Sequence, residues 1–223
     1  MELRKKFSRN IEQVEHDLNK MSDMTISALR MAVESVNSSN FKLAKKIIAD
    51  DKLINQKQVE IEDLCITLLA TQQPVAQELR ELVSVLSIVN ELERMADHAA
   101  TIAKFSLELE DLSKEVTEQI LPHITAMSEK VIKMIRKSIE AFLGEDEQLA
   151  RIIWISDKAV DTYFQLIYSE VFKTMVKNPK LIKQTSKFLW EAHYIERIGD
   201  RAANICERTF YLVSGNLDST DIL

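Results

Sequence analysis

Glycine and proline are nearly absent, with three of each in 223 residues. Strand-rich folds need many turns, and turns lean on those two residues. Their scarcity excludes a sheet protein and leaves few joints between long helices. Cysteine is as scarce. Cys65 and Cys206 lie far apart, which excludes a disulfide framework and fits buried free thiols in a reducing compartment. No run approaches the ~20 apolar residues of a membrane-spanning helix. The charged opening, Met1 to Arg9, leads straight into an amphipathic pattern rather than a signal sequence. A cytoplasmic protein is expected, with any membrane association made through a partner. Neither half carries an excess of basic charge: residues 1–110 have 14 basic and 18 acidic side chains, residues 111–223 have 15 and 17. Binding to a nucleic-acid backbone therefore has no electrostatic basis. A nucleophile elbow, a P-loop, a dinucleotide fingerprint and the Glu-x-x-His pair of di-iron bundles are all missing.

What is present is apolar residues at helical spacing almost throughout. The pattern predicts an all-α fold of six long antiparallel helices. The first runs from about Phe7 to Val36 and stops at Asn37-Ser38-Ser39-Asn40, which also caps the second, Phe41 to Thr71. Gln72-Gln73-Pro74 breaks the chain, and Pro74 suits the first turn of a third helix ending near Leu109. Pro122 sets apart Leu112 to Gln119 as a short separate turn before the fourth helix, which ends at Gly144. A fifth is expected from Asp146 to Val176. A sixth opens at Pro179 and reaches Val213, followed by a frayed tail from Leu217 to Leu223. Leu79, Leu82, Leu86 and Val89 in the third helix, and Ile195, Ile198, Ile205 and Leu212 in the sixth, read as core faces. Helices of this length pack in threes as antiparallel bundles.

The two halves repeat each other. Leu92-Glu93-Arg94-Met95-Ala96-Asp97 recurs as Ile195-Glu196-Arg197-Ile198-Gly199-Asp200, and Ala99-Ala100-Thr101-Ile102 recurs as Ala202-Ala203-Asn204-Ile205, both 103 positions on. Asp51-Lys52 recurs as Asp157-Lys158 at an offset of 106, which sets Asn55 against Asp161. Several matches in one order argue for duplication. The expected organisation is a three-helix bundle in residues 1–110 and a second in 111–223.

The repeat carries paired carboxylates. Residues four apart share a helix face, so Glu93 neighbours Asp97, Glu196 neighbours Asp200, and Asp157 neighbours Asp161, with Asp51 and Asn55 a weaker counterpart. Like charges at that spacing repel, and a repeated repulsion suggests a compensating cation. If neighbouring helices within each half adjoin, two four-ligand patches form. One is Asp51, Asn55, Glu93 and Asp97; the other is Asp157, Asp161, Glu196 and Asp200. All-oxygen sets suit hard cations such as Mg²⁺, Mn²⁺, Ca²⁺ or oxidised iron. The competing reading is a set of solvated acidic faces neutralised by Arg94, Arg197 and Arg201. Two of the four scattered histidines stand next to the signature: His98 follows Asp97, and His193 lies three before Glu196.

These residues resemble the PhoU family of bacterial phosphate-uptake regulators over nearly the whole chain. The resemblance is carried by Gln73-Pro74-Val75-Ala76-Gln77-Glu78-Leu79-Arg80, by Glu91 to Ala99 and by Tyr194 to Ile205, with Tyr211 to Gly215 similar to the family's ending. It implies two tandem three-helix bundles and no catalytic activity. It implies restraint of a phosphate ABC transporter and of a phosphate-responsive sensor histidine kinase, by protein contact with the transporter ATPase and the kinase, often as a homodimer. It also implies a bound metal cation (iron, Mg, Mn or Zn) at the Glu/Asp-x-x-x-Asp positions already paired. Met95-Ala96 departs from the usual Ile-Gly, and Asn55 stands where an aspartate would complete a pair, so the second site is expected to bind more tightly. Alternatives on the same sequence are a carboxylate-bridged metalloenzyme and a metal-free paralogue serving another phosphate carrier.

Overall fold

The computed structural model of the protein describes residues 2–109 and 112–216, with side chains from Phe7 onward. Eight α-helices and no strand occur among the described residues. Helices α1 (Glu2–Asn37), α2 (Phe41–Gln72) and α3 (Gln77–Ser106) form the first bundle. A short α4 (Lys114–Gln119) leads into the second, made of α5 (Leu121–Leu143), α6 (Glu147–Ser156), α7 (Lys158–Lys177) and α8 (Ile182–Ser214). The expected junction at residues 110 and 111, and the expected tail from Leu217, lie outside the described residues.

Local chemistry sets most ends. The Asn40 side chain accepts from the Leu43 amide at the start of α2, and Asp146 accepts from Leu149 at the start of α6. Pro122 occupies the first turn of α5, where a missing N–H costs nothing. Gly215 closes α8 in the left-handed conformation, φ 75°.

Four expectations differ from the structure. Pro74 does not open α3; Ala76 takes a positive φ of 46° and the helix starts at Gln77. The helix ends at Ser106 rather than Leu109, tied there by the Ser106 hydroxyl donating to the Ser35 carbonyl at 2.8 Å. The fifth predicted helix is two. At Asp157 the backbone ladder tightens, with the Val160 amide bonding the Asp157 carbonyl at 2.7 Å, so α6 ends and α7 begins. Leu79, expected in the core, is 42% exposed, because α3 has only just begun and α2 has ended beside it.

The bundles share one core. Buried side chains from α1, α3, α5 and α8 belong to a single cluster that includes Leu18, Ile102, Ile135 and Ile198. The long contact is α3 against α8. Arg80 meets Leu212, Glu91 meets Arg201 and His98 meets Tyr194. The two residue numbers add to the same total in each pair, so the helices run antiparallel in constant register. Moving Glu91 and Arg201 each by the repeat offset turns that contact into Tyr194 and His98. The halves are therefore related by a pseudo-twofold axis across the α3–α8 seam, and its midpoint falls between Arg94 and Met95 on α3 and between Arg197 and Ile198 on α8.

Glu191 breaks the polarity rules of this core. It is 0% exposed, and neither carboxyl oxygen has a hydrogen-bond partner. Its repeat mate is Ile88, also fully buried, so the position is a core position by construction. Burial pushes the Glu191 carboxyl well above its usual 4.5 and keeps it protonated and neutral. The unfolded chain ionises there near its ordinary value while the folded chain holds its proton. Stability is therefore full below the unfolded pKa and is lost as pH rises through the interval up to the raised one. The slope is on the order of 1 kcal/mol per pH unit. Urea unfolding between about pH 5 and pH 8 should show this decline in the native protein and a flatter profile for Glu191→Gln. Parallel profiles would contradict a buried neutral acid.

Candidate metal centre

The first patch lies on the wall of a cleft of about 680 Å³. Asp51 comes from α2 and Glu93 and Asp97 from α3; Arg94, His98 and Lys104 stand beside them. The same cleft is lined by Tyr194, Arg197 and Arg201 from α8, so the second bundle completes the site of the first. Burial raises the Asp51 carboxyl, and Asp97 raises it further against the pull of Lys104. Burial, then Asp97 and Asp51, raise Glu93, partly offset by Arg94 and Arg201. These shifts show that the three carboxylates feel one another. Asn55 does not line the cleft, but its Oδ1 is buried without a hydrogen-bond partner.

The second patch is the more crowded. Asp157 is pushed up to about 6, first by burial and then by Asp200, Asp161 and Glu196. The other three predicted residues thus all act on the Asp157 carboxyl. Asp200 is raised by burial and by Asp161, against Arg197, Arg201 and His193. Gly199 explains how close this comes. A Cβ there would lie 3.3 Å from Asp157 Oδ1 and 3.4 Å from Val160, so the bare glycine lets α7 press its first turn onto α8. The first bundle has Ala96, a buried residue with a side-chain methyl, at the matching position.

The arginines do not simply neutralise the signature. Arg201 Nη1 donates to Glu91 Oε2 at 2.9 Å, and Arg201 Nε to His98 Nε2 at 3.4 Å. Both partners lie on α3, so Arg201 fastens the bundles together. Among the described residues Arg94 and Arg197 form no ion pair, and they remain exposed in the cleft. Each histidine has a definite place. His193 Nδ1 sits 3.1 Å from Glu196 Oε2. His98 stacks obliquely on Tyr194 with ring centres 5.3 Å apart, and burial with nearby Arg201 and Arg197 lowers it to about 4, so it stays neutral. Both thiols are free and buried, and burial raises each to about 12, which leaves them unreactive.

The donor chemistry fits a hard cation: carboxylates held against their mutual repulsion, and an amide oxygen without a partner. Among the described residues, no three His, Cys, Asp or Glu side chains are grouped as a metal ion would need them. Nor, among the described residues, is any helix long and apolar enough to cross a membrane. The tie across the seam was not legible beforehand, because Glu91 and Arg201 stand 110 positions apart with no local pattern joining them.

Arg201 and Glu91 are both mostly shielded, with side chains 13% and 19% exposed. Removing one partner strands the other, at about 1–3 kcal/mol. A double-mutant cycle of Arg201→Met and Glu91→Gln, followed by urea unfolding, should return a coupling of about 1–2 kcal/mol. Additive losses would show that the pair does not join the bundles.

With this geometry in hand, comparison with known proteins is specific. The PhoU domain family model matches residues 18–106 and 124–209, one copy in each bundle. A PhoU homolog from Clostridium acetobutylicum, described as a phosphate-specific transport system accessory protein, is 34% identical over 95% of this chain and 96% of its own. The Escherichia coli protein of that description is 30% identical over 94% and 86%. The crystal structure of PhoU from Pseudomonas aeruginosa superposes with a TM-score of 0.85 at 28% identity, covering 94% of this chain and 100% of that one. That of the phosphate transport system regulatory protein PhoU from Streptococcus pneumoniae gives 0.85 at 29% identity, covering 95% and 99%. A duplicated three-helix bundle, with both signature helices packed face to face and a family match in each half, places this chain in the PhoU family.

Proposed function

We propose that this protein is a negative regulator of phosphate uptake and of phosphate-starvation signalling. It acts in the cytoplasm, as a homodimer, by contact with the ATPase of a phosphate ABC transporter and with a phosphate-responsive sensor histidine kinase. The observation that carries this reading is the doubled Glu-x-x-x-Asp signature on a chain matched in both halves by the PhoU domain. Relatives described as accessory and regulatory proteins of phosphate transport support it, and they favour a regulator over an enzyme. Deleting the gene is expected to switch phosphate-starvation genes on in phosphate-rich medium; full repression in the deletion strain would contradict the reading.

Metal binding forms part of the proposal. Asp51, Asn55, Glu93 and Asp97 would hold one cation, and Asp157, Asp161, Glu196 and Asp200 another. A bound cation supplies the positive charge that lets these carboxylates ionise side by side. The second site holds four carboxylates, and Gly199 lets α7 sit close; the first replaces one by Asn55 and has Arg94 and Lys104 in its cleft, while Arg197 and Arg201 stand near both. A neutral amide and nearby cations both weaken cation binding. Mass spectrometry of protein purified without added metal should therefore find more metal lost from Asp157→Ala/Glu196→Ala than from Asp51→Ala/Glu93→Ala. Equal retention by both variants would overturn the unequal pair of sites.

A further inference from the structure

One end of the second bundle carries a charge pattern that its repeat mate lacks. From Val171 to Trp190, across the end of α7, a 3-10 turn at Pro179–Leu181 and the start of α8, there are five lysines and no aspartate or glutamate, in a chain of net charge −6. The matching stretch of the first bundle, residues 65–87, holds Arg80, Glu78 and Glu81 and no lysine. The same hairpin is built twice, so the fold itself does not call for the lysines.

Internal pairing does not consume them. Lys187 pairs with Glu108 across the α3–α8 seam, and Lys183 lies close enough to act on the same carboxylate. Lys173 sits 2.7 Å from Glu170, a pair exposed to solvent and worth little. Among the described residues no carboxylate pairs with Lys177 or Lys180, and both are exposed. Between these charges stand bare apolar side chains. Val176 is 82% exposed, Ile182 49% and Phe172 43%. Tyr168, Phe172 and Val176 line a shallow groove on α7 with Lys173 and Lys177 on its rim.

The geometry points to this hairpin end as a direct docking surface for an anionic phospholipid leaflet. Lysine is a flexible, strongly hydrated point charge, suited to many loosely placed phosphates rather than to one fixed carboxylate, which arginine grips in a fork. Exposed apolar groups ringed by lysine match the boundary between headgroups and acyl chains. The rest of the molecule is acidic and is repelled by the same leaflet, so the chain would stand on this end. Contact of this kind needs no partner protein, and it goes beyond the regulatory reading above without depending on it.

The test is sedimentation of the full chain with vesicles of phosphatidylglycerol and phosphatidylethanolamine at low salt, against vesicles of phosphatidylcholine alone. Binding to the anionic vesicles is expected, with little to the neutral ones and loss on adding salt. Each lysine near an anionic surface is worth about 1 kcal/mol, so Lys177→Gln/Lys180→Gln should bind about thirtyfold more weakly. Val176→Ser should also weaken binding. Lys42→Gln/Lys46→Gln, which removes two exposed lysines from the first bundle, should not. All five substituted positions are exposed, and thermal melts of the variants establish that they fold. Failure to bind anionic vesicles, or equal loss from both lysine pairs, would overturn the proposal. So would capture by polyglutamate without capture by vesicles, which would assign the surface to an acidic protein instead.

Discussion

The antiparallel packing of α3 on α8 is the constraint from which the other features follow. Each of these helices is the last of its bundle, and each carries the signature on one face and core residues on another. Laying them in constant register sets Arg94 and Arg197 near a pseudo-twofold axis and brings each signature within reach of the other bundle's side chains. Leu92, Met95, Ile195 and Ile198 are fully buried around that midpoint. Two bundles joined in this way are not independent units: they share one core, and the cleft of the first is walled by the second.

The same packing accounts for the state of the carboxylates. Holding three or four of them on adjacent helix faces, some half-buried and others exposed, raises those nearest the centre, Asp157 most clearly. In isolation that arrangement is unfavourable, because burial and like charge oppose ionisation together. The proposed cation would relieve it. The asymmetry between the halves is equally physical: one glycine against one alanine, and one aspartate against one asparagine.

Much of the fold was legible in the sequence, because helices of this length declare themselves through apolar spacing and because the repeat checks each half against the other. The joints were less so. The break at Asp157 leaves the helical pattern intact and lies where Asp157 and Val160 pack on Gly199, a tertiary contact. The spacing of four set Glu93 beside Asp97 and Glu196 beside Asp200 on one helix face, whereas the role of Arg201 depended on which face of α3 meets α8, and periodicity does not choose between faces. Glu191 carried a usable signal, since the repeat sets it opposite Ile88, but a lone acid on a helix reads as solvated until its burial is seen.

The central claim is that α3 and α8 lie antiparallel in this register. The most direct measurement is nuclear Overhauser contact between aromatic rings in the full-length protein. Tyr194 should show cross-peaks to both His98 and Phe105, whose ring centres lie 5.3 and 6.0 Å away across the seam. A Tyr194 ring that contacts only residues of its own bundle would contradict the register, and with it the shared cleft.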